Sequence, residues 1–316
     1  MTRDITPIDL SGISTYSIKD RPSKVSSTDF ARVWQKGGSF NDFLGRLPKI
    51  LAADDLRAVV TAIVKAYANG KHVVWGMGGH VIKTGLNPII IDLMRRGVIT
   101  AVAMNGSCIV HDLEVALVGK TSEEVSAVLG EGRFGMAEET CSFLCGAIET
   151  AEKKSLGLGA AVGQAICEAG LPKADLSILA EGARLNIPVT VHVALGTDII
   201  HMHPGFDPAA AGHASHLDFR IFSALVADLE GGVYVNAGSA VILPEVFLKA
   251  VSVVRNLGHK LKNFSTANLD FIRHYRPMTN VVNRPTAEGG HGYNLTGHHE
   301  IMIPLIAAGV IEAIEK

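Results

Sequence analysis

The 316-residue chain is short of charge, of cysteine and of long apolar runs, and each shortage excludes something. Charged residues make up 19% and the net charge is -2, so no electrostatic field draws the chain to nucleic acid or to an anionic membrane. The start, MTRDITPIDL, lacks the basic-then-apolar pattern of a secretory signal. The apolar run IMIPLIAAGVI is too short to span a bilayer. A cytoplasmic setting is expected, with neither nucleic acid nor membrane as partner. The four cysteines are Cys108, Cys141, Cys145 and Cys167. Cys141 and Cys145 share a helix face, and a CxxxC pair with no second pair reads as buried reduced thiols rather than a zinc site. There is no internal repeat and no low-complexity linker.

What is there supports a large core, since 47% of the residues are hydrophobic. Residues 1–38 form an expected N-terminal arm, rich in Ser, Thr, Asp and Lys and without apolar period. The rest, 39–316, reads as one domain of alternating helices and strands. DDLRAVVTAIVKAYANG is a helix closed by Gly70, and KHVVWGMGG is a buried strand running into a glycine turn. GLNPIIIDLMRRG is a helix, VITAVAM a second strand with NGS as its turn, and CIVHDLEVALVG a further helix. Helices fill about 135–186. Further strands are expected at IPVTVHVAL, GGVYVN and MTNVVN, with helices between them and a last helix near Ile301. Strands that are apolar on both faces and separated by helices predict an α/β, Rossmann-like, doubly wound and mostly parallel sheet.

Ligands of such sheets sit at the carboxyl ends of the strands. The loops expected there are GMGGHVIKTG, MNGSCIVHD, LGTDIIHMHPG, NAGSA and AEGGHGYNLTGHHE. All are rich in Gly, Ser, Thr, Asn or His. The last, Ala287–Glu300, looks too polar for a strand and too glycine-rich for a helix. His111 and Asp112 open a helix. Asp112 reads as an N-terminal helix acid favoured by the dipole.

From Val73 onward the motifs resemble those of deoxyhypusine synthases, in the same order. They are GLNPIIIDLMRRGVITAVAMNGSCIVHDLEVALVG, EGRFGM, IPVTVHVALGTD, GGVYVNAGSAV, TNVVNRPTAE and HHEIMIPLIAAGVIEA. That resemblance implies an NAD-binding homotetramer with active sites at subunit interfaces. Carried over by position, the dinucleotide site comprises Gly79, His80, Lys83 and Thr84, then Asn105, Gly106 and Ser107. It continues with Gly196, Thr197 and Asp198, then Thr286 and Ala287 beside Glu288, and Gly297 beside His298. The functional reading of the His111 and Asp112 pair is that His111 faces the nicotinamide or substrate.

The substrate half departs from the family. Its lysine nucleophile comes from a loop before the last helix, and here no lysine or tryptophan occurs from Asn263 to Glu315. The acid that ends the family's TDGS-GD turn aligns with His201, and the family's histidine after the GG strand falls near Leu243 and Pro244. Seven of thirteen histidines gather in two regions: His201, His203, His213 and His216, then His291, His298 and His299. The first reading is an NAD-dependent enzyme acting on a small molecule by hydride transfer, with or without group transfer, and without a lysine-imine. Its candidate acid/base residues are His111, His201, His203, His291, His298 and Glu288. The second reading is a metal-dependent hydrolase or lyase using His201, His203, His213 and His216. The third is a nucleotide-binding protein without catalysis.

Overall fold

Strands that are apolar on both faces are buried only between two layers of helices. The computed structural model, which describes residues 5–315, has that architecture. Helices α1 (Phe40–Arg46) and α2 (Leu51–Ala68) precede strand β1 (Val73–Met77). The short α3 (His80–Lys83) and α4 (Asn87–Arg95) lead to β2 (Ala101–Asn105). Then come α5 (Gly106–Val118), the single turn α6 (Val125–Val128), α7 (Glu138–Lys154), α8 (Leu158–Glu168) and α9 (Ile178–Leu185), before β3 (Val189–His192). Helix α10 (Pro208–Ala227) joins β3 to β4 (Val233–Ala237), and α11 (Ile242–Asn256) joins β4 to β5 (Ser265–Asp270). The turn α12 (Tyr275–Pro277) and a π-helix at Met278–Asn283 lead to β6 (His291–Thr296) and α13 (His299–Ile314). Residues 5–39 carry only two 3-10 turns, and Ile5, Ile8, Ile13 and Val33 there are exposed.

All six strands are parallel, in the order β3-β2-β1-β4-β5-β6. This is the doubly wound arrangement, with its reversal of strand order between β1 and β4. The period of two along each strand sorts the core. Val73, Trp75, Met77, Val102, Met104, Val233 and Val235 face one helical layer. Val74, Ala101, Ala103 and Tyr234 face the other, where Phe222 and Phe247 fill the space. Tyr234 stacks on Phe247 at 3.9 Å between ring centroids, and its hydroxyl lies where a side chain on Gly76 would be.

The sheet differs from expectation at its C-terminal edge. MTNVVN is a π-helix, not a strand; Pro277 and Pro285 bracket it, and the buried Val281 and Val282 cover the strands instead of pairing with them. The Val281 carbonyl accepts from Thr266 Oγ1 at 2.8 Å. Two strands take up the edge: β5, STANLD, and β6, HGYNLT. Both are too polar for an apolar pattern to reveal. Asn236 Nδ2 donates to Asn268 Oδ1 at 2.8 Å, and Asn268 Nδ2 donates to Asn294 Oδ1 at 2.9 Å. These three residues are in register, so the amides form a ladder across β4, β5 and β6. Each rung lets a buried amide keep hydrogen bonds that burial would otherwise cost it.

At the other edge, α10 holds β3. The Asp218 carboxylate accepts from the Val191 amide at 2.8 Å and from the Gly159 amide at 2.9 Å. Ser215 accepts from the Val193 amide at 3.1 Å and donates to the Val191 carbonyl at 3.0 Å. Asp112 is likewise structural. It is fully buried in α5 and caps a different helix, α9, accepting from Ser177 Oγ (2.5 Å), the Ile178 amide (2.9 Å) and the Leu179 amide (3.2 Å). Burial pushes its carboxyl up to about 6. The sequence reading of Asp112 as a dipole-favoured acid of its own helix did not anticipate this cap.

Candidate functional site

At the strand-order reversal, where the crevice of such a sheet is expected, the turns are built by glycines. Strand β1 runs out into the buried Gly78 and Gly79, and β4 runs out into Gly238, whose φ is +69°. A Cβ on Gly78 would overlap the Gly238 carbonyl, so the two turns meet only because Gly78 has no side chain, while a Cβ on Gly238 would press on the His299 ring at 2.9 Å. A Cβ on Gly79 would stand 2.7 Å from Ser107 Oγ, 2.8 Å from His111 Cδ2 and 3.4 Å from His111 Nε2. Ser107 and His111, four apart on α5, therefore converge on this turn. Gly106 is already the first residue of α5, so β2 passes into the helix without the expected NGS turn.

A cavity of about 260 Å³ opens beside them, lined also by Lys83, Glu114, Glu123, Phe134, Thr197 and Asp198. His111 Nδ1 lies 2.7 Å from Thr121 Oγ1. Burial, with Lys83 adding to it, holds the His111 imidazole down to about 4, so the ring is neutral at pH 7. The Asp198 carboxylate packs on Gly106; a Cβ there would lie 2.8 Å from the farther carboxylate oxygen and would overlap the nearer one. Its Oδ2 is buried and has no protein partner, and burial raises its carboxyl while His201 opposes the rise. The carboxylate covers the amino end of α5, where a phosphate would otherwise bind. Gly106 therefore admits Asp198, and this structure offers no place for a pyrophosphate there. Asn105 is engaged locally, accepting from Ser107 Oγ at 2.9 Å and from Cys108 Sγ at 3.1 Å.

Across the crevice, His80, Phe271, His298 and the buried His299 gather at the carboxyl ends of β1, β5 and β6. The His80 and His299 rings are 5.4 Å apart, and Phe271 stacks on His298 at 6.2 Å. His299 Nε2 donates to the Leu269 carbonyl at 3.0 Å, which leaves its buried Nδ1 without a partner. Burial first, then the neighbouring His299 and Lys83, lower His80. Gly297 and His298 thus lie at the ligand end of the sheet. Thr84 bonds back to the His80 carbonyl at 3.0 Å and closes the short α3.

Four sequence candidates fall elsewhere. Thr286, Ala287, Glu288 and His291 precede or begin β6, so they sit at the amino ends of the strands, away from His111. The larger hollow, about 610 Å³, is at that end as well, between α2 and the starts of β4, β5 and β6. The stretch Ala287–Glu300 is not one loop. Its middle is a strand, and only Gly297 to Glu300 reach the carboxyl end.

The four proposed metal histidines point to four different partners. His201 lies in a 3-10 turn, accepts from the Gly196 amide at 3.0 Å and packs on Phe206 at 4.7 Å. His203 accepts weakly from the Gly205 amide at 3.4 Å. His213 pairs with Glu152 at 2.9 Å, and His216 stacks on Phe219. Among the described residues no group of three or more His, Cys, Asp or Glu is placed to hold a metal ion. Sequence reasoning named the loops that hold Gly78 and Gly238 without singling out these glycines, and it missed Glu114 and Thr121. Glu114 was within reach, three residues from His111 on one helix face; Thr121 carried no signal, because a loop brings it there.

No family model matches the chain, and no curated protein sequence matches it. Solved structures do. The fold is similar to that of a protein described as a deoxyhypusine synthase from Entamoeba histolytica, with TM-score 0.52 at 11% identity, covering 89% of this chain and 96% of that one. It is also similar to AgrE, solved with ornithine and NAD+, with TM-score 0.52 at 14% identity, covering 84% of this chain and 34% of that one. ArgZ, an arginine dihydrolase of the ornithine–ammonia cycle in cyanobacteria, gives TM-score 0.51 at 16% identity, covering 82% of this chain and 31% of that one. This chain spans about a third of the length of AgrE and ArgZ. The resemblance drawn from motif order holds at the level of the fold: a deoxyhypusine synthase-like, Rossmann-like α/β sheet. Among the described residues no helix is long and apolar enough to cross a membrane.

Proposed function

We propose that this chain is an NAD-dependent enzyme that oxidises a small molecule by hydride transfer, with His111 as the base and no lysine-imine step. The observation that carries the reading is the meeting of Gly78 and Gly238 at the strand-order reversal, with His111 Nε2 against the adjoining Gly79. A dinucleotide would lie over these turns rather than at the amino end of α5, which the Asp198 carboxylate occupies. Gly78, Gly79 and Gly238 let the two turns, α5 and His299 pack together at the ligand end of the sheet, and Lys83, Ser107 and Thr197 supply polar groups around the cavity for ribose or substrate hydroxyls. Bound NAD would supply the hydride acceptor. The chain's own part is to hold a small substrate in the 260 Å³ cavity, screen it with Phe134, and take its proton on the neutral His111. His298 and His80, at the carboxyl ends of β6 and β1, would be polar contacts for the far half of the cofactor. AgrE, with NAD+ and ornithine on a similar fold, supports the assignment. The homotetramer of the deoxyhypusine synthases and a cytoplasmic setting belong to the same proposal. Light scattering of purified protein tests the first.

The experiment is a thermal melt with and without NAD. At a hundredfold excess over Kd the ligand should add about 2.7 kcal/mol of stability, read as a rise in Tm. Ser107→Trp fills the space over Gly79 and should abolish the rise while the far-UV spectrum is kept. No rise with NAD or NADP, or an equal rise in Ser107→Trp, would refute the reading. Elemental analysis showing stoichiometric zinc or manganese would revive the metal reading.

A further inference from the structure

We propose that Glu114 and Thr121 act as a positioning relay that holds His111 as its Nδ1–H tautomer and leaves the Nε2 lone pair facing the crevice. Helix α5 ends at Gly119, in the left-handed conformation at φ +68°. The chain reverses there and brings Thr121 back against the helix, below His111. Thr121 Oγ1 lies 2.5 Å from Glu114 Oε2 and 2.7 Å from His111 Nδ1. A hydroxyl has one hydrogen. Glu114 takes a second hydroxyl contact on its other oxygen, from Thr140 Oγ1 at 3.4 Å, so both of its oxygens act as acceptors. The Thr121 hydrogen therefore goes to Glu114, and Thr121 can only accept from the imidazole. Nδ1 must carry the ring proton. In a neutral ring that leaves Nε2 bare, and Nε2 is the nitrogen set against Gly79.

The charged groups around the ring act in both directions. Glu114 lies 3.9 Å from Nδ1, within the same helix. Lys83 from α3 opposes a positive ring, while Glu123 and Asp198 line the cavity wall. When a substrate X–H proton passes to Nε2, the X–H bond breaks, an N–H bond forms, and X keeps the electron pair. The ring then bears a positive charge, and the Nδ1–H···Oγ1–H···carboxylate chain places Glu114's negative charge behind it. Without Thr121 the ring is free to turn or to adopt the other tautomer, and Nε2 is then no longer an acceptor. The tautomer assignment stands on contacts alone; its use in proton uptake rests on the proposed function.

The test is two-bond 15N–1H correlation of the full chain labelled in histidine, at pH 7.5, with His111 identified by its absence in His111→Gln. The expected wild-type pattern is protonated Nδ1 and bare Nε2. Thr121→Val should raise the Nε2–H fraction about tenfold, the loss of one good hydrogen bond. Thr121→Ser should restore the wild-type pattern. A wild-type ring with Nε2–H or with both nitrogens protonated overturns the proposal, and so does Thr121→Val with an unchanged pattern. A chain that keeps the tautomer but gains no stability from NAD refutes the proposed function and leaves the relay standing.

Discussion

Gly106→Ala is an unusual glycine substitution, because its sign should depend on a residue far along the chain. Gly106 opens α5 with ordinary helical geometry, so alanine is compatible with the backbone. Helix propensity alone favours alanine by roughly 0.5–1 kcal/mol. Against this, the new Cβ would overlap the Asp198 carboxylate, which is wedged over the start of the helix. Overpacking of this kind costs roughly 1–3 kcal/mol. The net expectation is a destabilisation of about 0.5–2 kcal/mol. In an Asp198→Ala background the obstruction is gone and only propensity remains, so the same change should stabilise by roughly 0.5 kcal/mol. The coupling energy between the two sites is then about 1–3 kcal/mol. Urea unfolding of the four proteins, at one pH and with m-values compared, measures it. If Gly106→Ala stabilises the wild type, or if the cycle closes to within about 0.3 kcal/mol, the packing of Asp198 on α5 is refuted.

Three further outcomes follow from named contacts. Asp112→Ala strips the cap from α9 and leaves Ser177, Ile178 and Leu179 without their acceptor; urea unfolding should show a loss of about 3–5 kcal/mol. His192 is buried, and burial pushes its imidazole down to about 3, so folding is opposed by its protonation in the unfolded chain. Its stabilising share is complete above pH 6.5 and is lost as pH falls toward 3, at roughly 1.4 kcal/mol per pH unit; His192→Gln should flatten the pH dependence of stability by that slope. Asn268→Leu breaks the middle rung of the amide ladder and should cost about 2–3 kcal/mol in chemical denaturation, because Asn294 loses its donor and Asn236 one of its acceptors.

How legible these features were depended on hydrophobicity. β1, β2 and β4 are mostly apolar on both faces and β3 on one, where Val189 and Val191 lie, and their places were readable from residue type alone. β5 and β6 were not, because Thr266, Asn268 and Asn294 meet their needs across strands that no local pattern predicts. The apolar VV pair at Val281 and Val282 then attracted the strand assignment, although it is helical cover. That one displacement carried Thr286, Ala287, Glu288 and His291 to the wrong end of the sheet. At the site, His111, Ser107 and Gly79 were legible because glycine turns after buried strands mark the ligand end. Local spacing also grouped His201, His203, His213 and His216, but 3-10 and helical geometry sends each ring to its own neighbour.

The clamp of α10 on β3 has a consequence beyond stability. A strand at a sheet's border exposes a row of free amides and carbonyls that can template addition of another chain. On β3 and just past its end, Asp218 and Ser215 already engage Val191 and Val193, so that border offers an incoming strand little to pair with. Recruitment of a foreign strand is left to the β6 side. Replacing Asp218 or Ser215 would therefore do more than loosen one helix: it would open a second border and give a concentrated solution of this protein a new route to fibrous aggregation.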